Sequence, residues 1–449
     1  MKTILKIACA IALATCSLPI FALSGCAHQR SKLDPDNPIT LTMWHVYGEQ
    51  ADSPMSRLVD EFNETVGRER GIVIKIDLVS NSSQIGSKLL EAHRQEPGAL
   101  DMPDLFFCHT SNAYAIGPEY LLDWSEHFGE DDRAKFVDAF LQDGYAAERL
   151  AVLPVTKSTH LLFINDTQFQ RFSAETGVVY DDLSTWEGFF HAAEAYYEWS
   201  GGQAFCAFDY LLRSVELSAL GRDATTPLYA EDGWYDPANE VFHDAWDQFA
   251  EALVEGHVIM SDTYSTTQVM TGESLGGLGS SAAILYYNDS VTYPDNTTEP
   301  MRLHVLPLPK PEGGQGFVTQ AGVGLCAHAT TEEKEEAAVV FARWLTEDDR
   351  NLAFAAETGY VPVKNDALAR LSEHDFANEN YRQLYEAIRV IHEDYGWLSE
   401  PNSNAYYARV YRFYDKLKAM LAECDARKDS GERDEDLVEE TWALLHSMR

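Results

Sequence analysis

Between residues 39 and 107 the apolar residues switch repeatedly between two periods, and that rhythm restricts the chain to a small set of folds. Ile39-Thr40-Leu41-Thr42-Met43-Trp44 alternates apolar and polar, the period of a strand. Ser53-Pro54 then places a capping hydroxyl before a proline at the first helical position. Met55, Leu58, Val59, Phe62 and Val66 follow at helical spacing and make one apolar face. After Gly71, alternation returns in Ile72, Ile74, Ile76 and Leu78. Ser83 to His93 suits a second helix, and Pro103-Asp104-Leu105-Phe106-Phe107 a short buried strand. Strand, helix, strand, helix, strand predicts a parallel sheet with helices on its faces.

The pattern continues less evenly. Leu150 to Val155 and Leu161 to Asn165 read as extended, and 166–275 as mainly helical and aromatic-rich. Gly276-Gly277-Leu278-Gly279-Ser280-Ser281 is Gly- and Ser-rich and reads as a loop. Leu303 to Leu306 and Ala321 to Ala327 read as strands. Thr330 with Glu333 predicts a capping box, and Ala337, Val340, Phe341, Trp344 and Leu345 the core face of the helix it starts. The last hundred or so residues alternate as helices with charged outer faces.

The N-terminus restricts location. Lys2 and Lys6 precede an apolar run from Ile7 to Leu23, the pattern of a secretory signal over residues 1–25. It ends in Leu23-Ser24-Gly25-Cys26, which resembles the bacterial lipobox. That resemblance implies acylation of Cys26 and a membrane-tethered, extracytoplasmic protein, since each buried CH₂ contributes about 0.8 kcal/mol. Residues 26–38, polar and with Pro35 and Pro38, read as the tether. No later apolar run approaches the ~20 residues of a membrane helix. The 449 residues carry a net charge of −38, which disfavours nucleic acid as a partner. With 72 Asp and Glu, carboxylate pairs arise by chance and argue for no catalytic role. Cys9 and Cys16 lie in the signal. Cys108, Cys206, Cys326 and Cys424 are widely spaced with no C-x-x-C, so no metal site is expected. A disulfide and four separate buried thiols both remain open.

Several pieces occur in one order: Met43-Trp44-His45, Pro103-Asp104-Leu105, Leu153-Pro154 with Ser158, Leu162-Phe163-Ile164-Asn165, Thr185-Trp186-Glu187-Gly188-Phe189, Pro307-Leu308-Pro309 and Glu357-Thr358-Gly359-Tyr360-Val361-Pro362-Val363. Together they resemble the extracellular solute-binding proteins of family 1, receptors of sugar-type ABC importers, over roughly residues 39–420. Trp44-His45, Gly359 to Pro362 and Pro401-Asn402-Ser403 are most similar to the glycerol-3-phosphate binders. The resemblance implies an α/β, two-lobed periplasmic-binding-protein-like fold (type II), with the ligand in a cleft between lobes. It implies lobes of 39–158 plus 280–329 and of 159–279 plus 330–449, with crossings near 156–160, 279–282 and 327–330. It places Tyr47, Ser158, Ser280, Gly322 and Tyr360 at the ligand, with Phe208 or Tyr210. The glycerol-3-phosphate binders carry an acid where this chain has Gln84 and an arginine where it has Asn404, so the ligand is expected to be a sugar, a polyol or a phosphorylated relative. Arg409 and Arg412 are candidates to replace that arginine. The implied partners are ABC permease subunits and the membrane through Cys26; a monomer without cofactor, metal or nucleic acid is expected.

Read from the residues alone, a sugar cleft needs aromatic faces and planar polar groups. Loop tyrosines such as Tyr47, Tyr286, Tyr287, Tyr360, Tyr406 and Tyr407 supply the first. Trp44 suits core and cleft equally, Trp186 suits a core, and His45 suits a scaffold role. Two other classes stay in view. Gly272-Glu273-Ser274-Leu275-Gly276 fits the nucleophile-elbow pattern of a serine hydrolase, with Thr266 to Thr271 as its strand and Asp289 or Asp295 and His304 or His328 as partners. A tethered surface adhesin on the same scaffold is the third reading. The binding reading requires no bond chemistry, so no enzyme is expected.

Overall fold

The structure, a computed structural model, describes residues 31–48, 53–82, 84–328, 330–376, 378–401 and 403–449. Residues 1–30, with Cys26 and its expected lipidation, lie outside the described residues. The fold is α/β and two-lobed, each lobe built on its own sheet. The first sheet runs Gly324–Ala327, Leu105–Cys108, Ile39–His45, Ile72–Val79. Its last three strands are parallel and the edge strand Gly324–Ala327 is antiparallel to Leu105–Cys108. The second sheet runs Leu303–Leu306, His160–Asn165, Ser274–Ser280, Ala204–Phe208, Val258–Ile259.

Local chemistry sets the elements where the periodicity predicted them. Ser53 Oγ accepts from Ser56 N at 3.1 Å and Pro54 opens the helix Pro54–Phe62. Thr185 caps Trp186–Ser200, its Oγ1 accepting from Gly188 N at 3.1 Å. The cap of Glu332–Leu345 is Thr331, one residue beyond the expected Thr330.

Strand His160–Asn165 is buried on both faces, as a central strand must be. Leu161 and Phe163 face a core shared with the first sheet, among Leu41, Phe62 and Phe341. Leu162 and Ile164 face a second core of Trp186, Phe189, Phe205, Trp246 and Phe249. A third cluster, with Trp44, Phe106, Ile85 and Leu89, covers the far face of the first sheet, so Trp44 is core.

Three expectations change. The Gly- and Ser-rich segment expected as a loop is the central strand Ser274–Ser280, hydrogen-bonded to His160–Asn165 and Ala204–Phe208. Its glycines are there because nothing larger fits: a Cβ on Gly276 would stand 2.6 Å from Ile164 Cδ1 and 3.0 Å from the Phe163 carbonyl oxygen. The chain does not cross to the first sheet after residue 280, because Leu303–Leu306 pairs antiparallel with the free edge of His160–Asn165. It returns near 321–324 instead of 327–330. Glu332–Leu345, expected with the second lobe, lies on the first sheet. Phe341 packs edge-on to Phe62 at 5.0 Å, and Lys334 pairs with Asp104 at 2.6 Å.

Replacing Gly276 by Ala should therefore lower stability by about 1–3 kcal/mol, through overpacking of a central strand. Ala at Gly129, whose Cβ meets nothing within 4 Å, should change it by less than about 0.5 kcal/mol. Denaturant unfolding of both variants checks the contrast.

Candidate functional site

The cleft is assembled where the chain passes between sheets. Thr156, Lys157, Ser158, Thr159 and His160 are all buried. Buried backbone must be paired, and here it is paired outward. Ser158 and Ala321 exchange two backbone bonds of 2.9 Å, Ser281 N donates to Thr159 O at 2.7 Å, and Val361–Pro362 pairs with Thr156–Lys157. The passage is thus held by the return segment, the end of strand Ser274–Ser280 and the turn after Tyr360.

From the first lobe, the carboxyl ends of the strands present His45, Tyr47 and His109, the edge at which open α/β sheets take ligands. The Tyr47 hydroxyl lies 3.2 Å from Thr156 Oγ1, and its ring meets Phe107, Phe354 and Tyr360 edge-on at 5.0, 5.2 and 5.7 Å. His45 Nδ1 accepts from Tyr47 N at 3.2 Å, while buried Nε2 has no hydrogen-bond partner. Burial lowers the His45 pKa to about 4. Burial also lowers that of His109, and the nearby Lys157 cation lowers it further. Lys157 itself is paired with Asp143 at 2.5 Å.

The second lobe supplies Asp209 and Tyr210, just past strand Ala204–Phe208, and His160. The Tyr210 ring stacks flat on His160 at 4.0 Å. His160 Nε2 lies 3.8 Å from Glu400 Oε1, its Nδ1 is unpartnered, and burial with the Arg213 charge holds its pKa down to about 3. Glu400 accepts from the Tyr407 hydroxyl at 2.9 Å, and burial raises its pKa. Asp209 accepts from Ser265 N at 2.6 Å and Ser265 Oγ at 3.0 Å. Tyr360 follows Gly359, which is left-handed at φ 74° and whose Cβ would stand 2.4 Å from Ile284 Cγ2. Burial raises the Tyr360 phenol to about 12.

Six of the expected residues, Tyr47, Ser158, Tyr210, Ser280, Gly322 and Tyr360, therefore lie along the passage and its flanks. Ser280 caps the turn Ser281–Tyr286, its Oγ accepting from Ala282 N at 3.3 Å, and Gly322 sits at φ 114° beside Ser158. Phe208 does not line the cleft. It ends a strand with its ring in the second core, 5.9 Å from Phe249 and 6.1 Å from Phe189, whereas Tyr210 lies past the strand's end, at the start of helix Leu211–Arg222. Gln84 lies on the exposed turn that opens helix Ile85–His93. Asn404 begins helix Asn404–Leu421, and its side chain lies outside the described residues. Arg409 does not replace the missing arginine: it donates to Asp232 O at 3.2 Å and lies 5.9 Å over the Trp234 ring.

Sequence reading passed over His160, Asp209, Glu400 and the Lys157–Asp143 pair. A histidine opening an otherwise apolar run, His160-Leu161-Leu162-Phe163-Ile164, was the available signal. It also passed over Arg213, which is buried and donates to Glu216 at 2.7 Å, Thr319 Oγ1 at 2.7 Å and the carbonyls of Leu398 and Ser399 at 3.1 and 3.0 Å. Both cations here, Lys157 and Arg213, are thus already matched to carboxylates. Beside them the passage gathers imidazole, phenol and carboxylate groups.

Ser274 is buried in its strand, with Oγ donating to Gly276 O at 2.9 Å. It follows the helix Ser265–Thr271, expected as a strand, so the order is helix–turn–strand. A nucleophile elbow needs strand–turn–helix and an exposed serine.

The chain belongs to the bacterial extracellular solute-binding protein family, whose profile matches residues 57–380. That family places it outside the cytoplasm, and among the described residues no helix is long and apolar enough to cross a membrane. Solved structures share the whole fold. The cyclic α-maltosyl-1,6-maltose binding protein of Arthrobacter globiformis aligns at 15% identity over 92% of this chain and 99% of its own, with a TM-score of 0.68. The sugar-binding protein MalE of Xanthomonas citri aligns at 15% identity over 91% and 97%, with a TM-score of 0.64. UgpB of Mycobacterium tuberculosis, solved with glycerophosphocholine, aligns at 16% identity over 92% and 99%, with a TM-score of 0.63. A search of curated protein sequences found no match.

Burial pushes Asp209 from 3.8 up to about 6. The folded protein then keeps a proton that the unfolded chain has lost between about pH 4 and pH 6. Its contribution to stability is intact below that window and falls as pH rises through it. Asp209→Asn should remove this cost, so the melting temperature of the variant relative to wild type should rise between about pH 4 and pH 7. A constant difference across that range would contradict the assignment.

Proposed function

We propose that this protein is the membrane-tethered receptor of an ABC importer, capturing a neutral, hydroxyl-rich solute of the sugar or polyol class. The observation that carries the reading is the composition of the cleft: tyrosine faces at Tyr47, Tyr210 and Tyr360, carboxylates at Glu400 and Asp209, and cations already paired. Carboxylates accept from ligand hydroxyls, and tyrosine rings cover C–H faces. A phosphate in this cleft would meet carboxylates without a free bidentate guanidinium. The sugars named for the maltose-type structures support the carbohydrate class.

Capture proceeds by lobe closure about the passages between lobes, including those near 156–160 and 321–324. Ligand that touches both lobes shifts the population to the closed form, which the permease recognises. Asn404 and Gln84 remain candidate contacts. The lipid on Cys26 keeps the receptor at the membrane; radiolabelled palmitate should enter the wild type and not Cys26→Ser.

A thermal-melt panel on residues 27–449 tests the ligand class. A neutral oligosaccharide or polyol at 100 times its Kd should add about 2.7 kcal/mol of stability, and glycerol-3-phosphate should add none. Tyr360→Ala should weaken binding of the hit about 10- to 100-fold by calorimetry, equivalent to about 1.4–2.7 kcal/mol. A shift with phosphorylated ligands alone would overturn the neutral assignment.

A further inference from the structure

We propose that Cys108 and Cys326 form a disulfide in the exported protein, a clasp that ties the returning strand to the first lobe. Leu105–Cys108 and Gly324–Ala327 are antiparallel neighbours, with Cys326 opposite Phe106 and Gly324 opposite Cys108. Residues 106, 108, 324 and 326 therefore share one face of the sheet. Both cysteines are fully buried there, beside Trp44 and Ile116, and their sulfurs are 3.6 Å apart. Gly324 puts no side chain between them. Bonding brings the sulfurs to about 2.0 Å, which requires rotation about both Cα–Cβ bonds and a small inward movement. Gly324–Ala327 is the sheet's edge strand, and on its outer side Leu325 exchanges backbone bonds of 2.8 and 2.9 Å with Leu153.

The other buried thiols are placed differently. Cys206 Sγ donates to Ala207 O and Cys424 Sγ to Met420 O, each at 3.6 Å. Export puts the chain where disulfides persist. The oxidant is a disulfide, either of a thiol oxidoreductase or of a small thiol. One cysteine thiolate attacks it, forming a mixed disulfide and releasing one external thiol. The second thiolate then attacks the protein-bound sulfur and releases the other. Two cysteine thiols are oxidised, one external disulfide is reduced to two thiols, and the two cysteine protons end on those released thiols. In the finished fold, burial raises the Cys326 pKa well above its ordinary value and shuts out the oxidant. The exchange therefore belongs to folding, before helices Ile85–His93 and Thr110–Ile116 cover the face.

The bond would span the passages near 156–160 and 321–324, since the chain leaves for the second lobe after residue 108 and returns before 326. It would fix the strand that follows Gly322 against the strand that precedes His109, beside the cleft.

The full-length protein, exported into an oxidising compartment, is unfolded in denaturant, alkylated without reduction and digested. Peptides containing Cys108 and Cys326 should run as one linked species that dithiothreitol separates. The intact wild type should also lose about 5 °C of melting temperature on reduction, and Cys108→Ser/Cys326→Ser should lose none. Separate alkylated peptides at both cysteines, or either cysteine joined to Cys206 or Cys424, would overturn the proposal.

Discussion

Thr156 to His160 carry the chain from one sheet to the other with no solvent to satisfy them, and this constraint organises the molecule around them. A buried crossing has to find a partner for each backbone group elsewhere in the protein. The return segment meets Ser158, the end of strand Ser274–Ser280 meets Thr159, and Val361–Pro362 meets Thr156 and Lys157. The side chains do the same work: Thr156 meets Tyr47, Lys157 meets Asp143, and His160 stacks on Tyr210. The groups gathered to satisfy the crossing are thus brought together where the two sheets meet.

A second buried feature governs the charge of that cleft. Arg213 holds Glu216 and the carbonyls of Leu398 and Ser399 at once, so it fixes the strand Tyr395–Ser399 that delivers Glu400. Three tyrosine hydroxyls, of Tyr229, Tyr235 and Tyr406, donate to the other side of Glu216. Removing one partner of such a network strands a buried charge, at about 3–5 kcal/mol. Arg213 is therefore structural, and the carboxylate it positions is the one left beside the cleft.

The elements of the first lobe were readable because period alone decides which side chains are buried there. Ile39 to Trp44 and Ile72 to Leu78 alternate, and Ser53-Pro54 marks a helix start by its own backbone chemistry. The Gly276-Gly277-Leu278-Gly279 segment was not readable. Its composition suits a loop, and only the approach of Ile164, Phe163 and Asp209 makes glycine the residue of a central strand. The same holds for the cleft. Tyr47, Ser158 and Tyr360 were named from motifs, whereas His160, Asp209 and Glu400 gain meaning from neighbours far along the chain. Phe208 and Tyr210, two residues apart, were indistinguishable until the end of the strand at Phe208 left one in a core and the other on His160.

By itself the sequence determined the class of fold, the expectation of export and the types of side chain available for binding, because periodicity, charge and short motifs are local properties. The tertiary structure decided which sheet each segment joins, which cations are already spent on carboxylates and which two of four cysteines touch. Those depend on contacts between residues a hundred or more positions apart, such as Cys108 with Cys326 and Arg213 with Leu398 and Ser399. No local pattern encodes such pairings; they exist only once the two sheets have closed around the crossing.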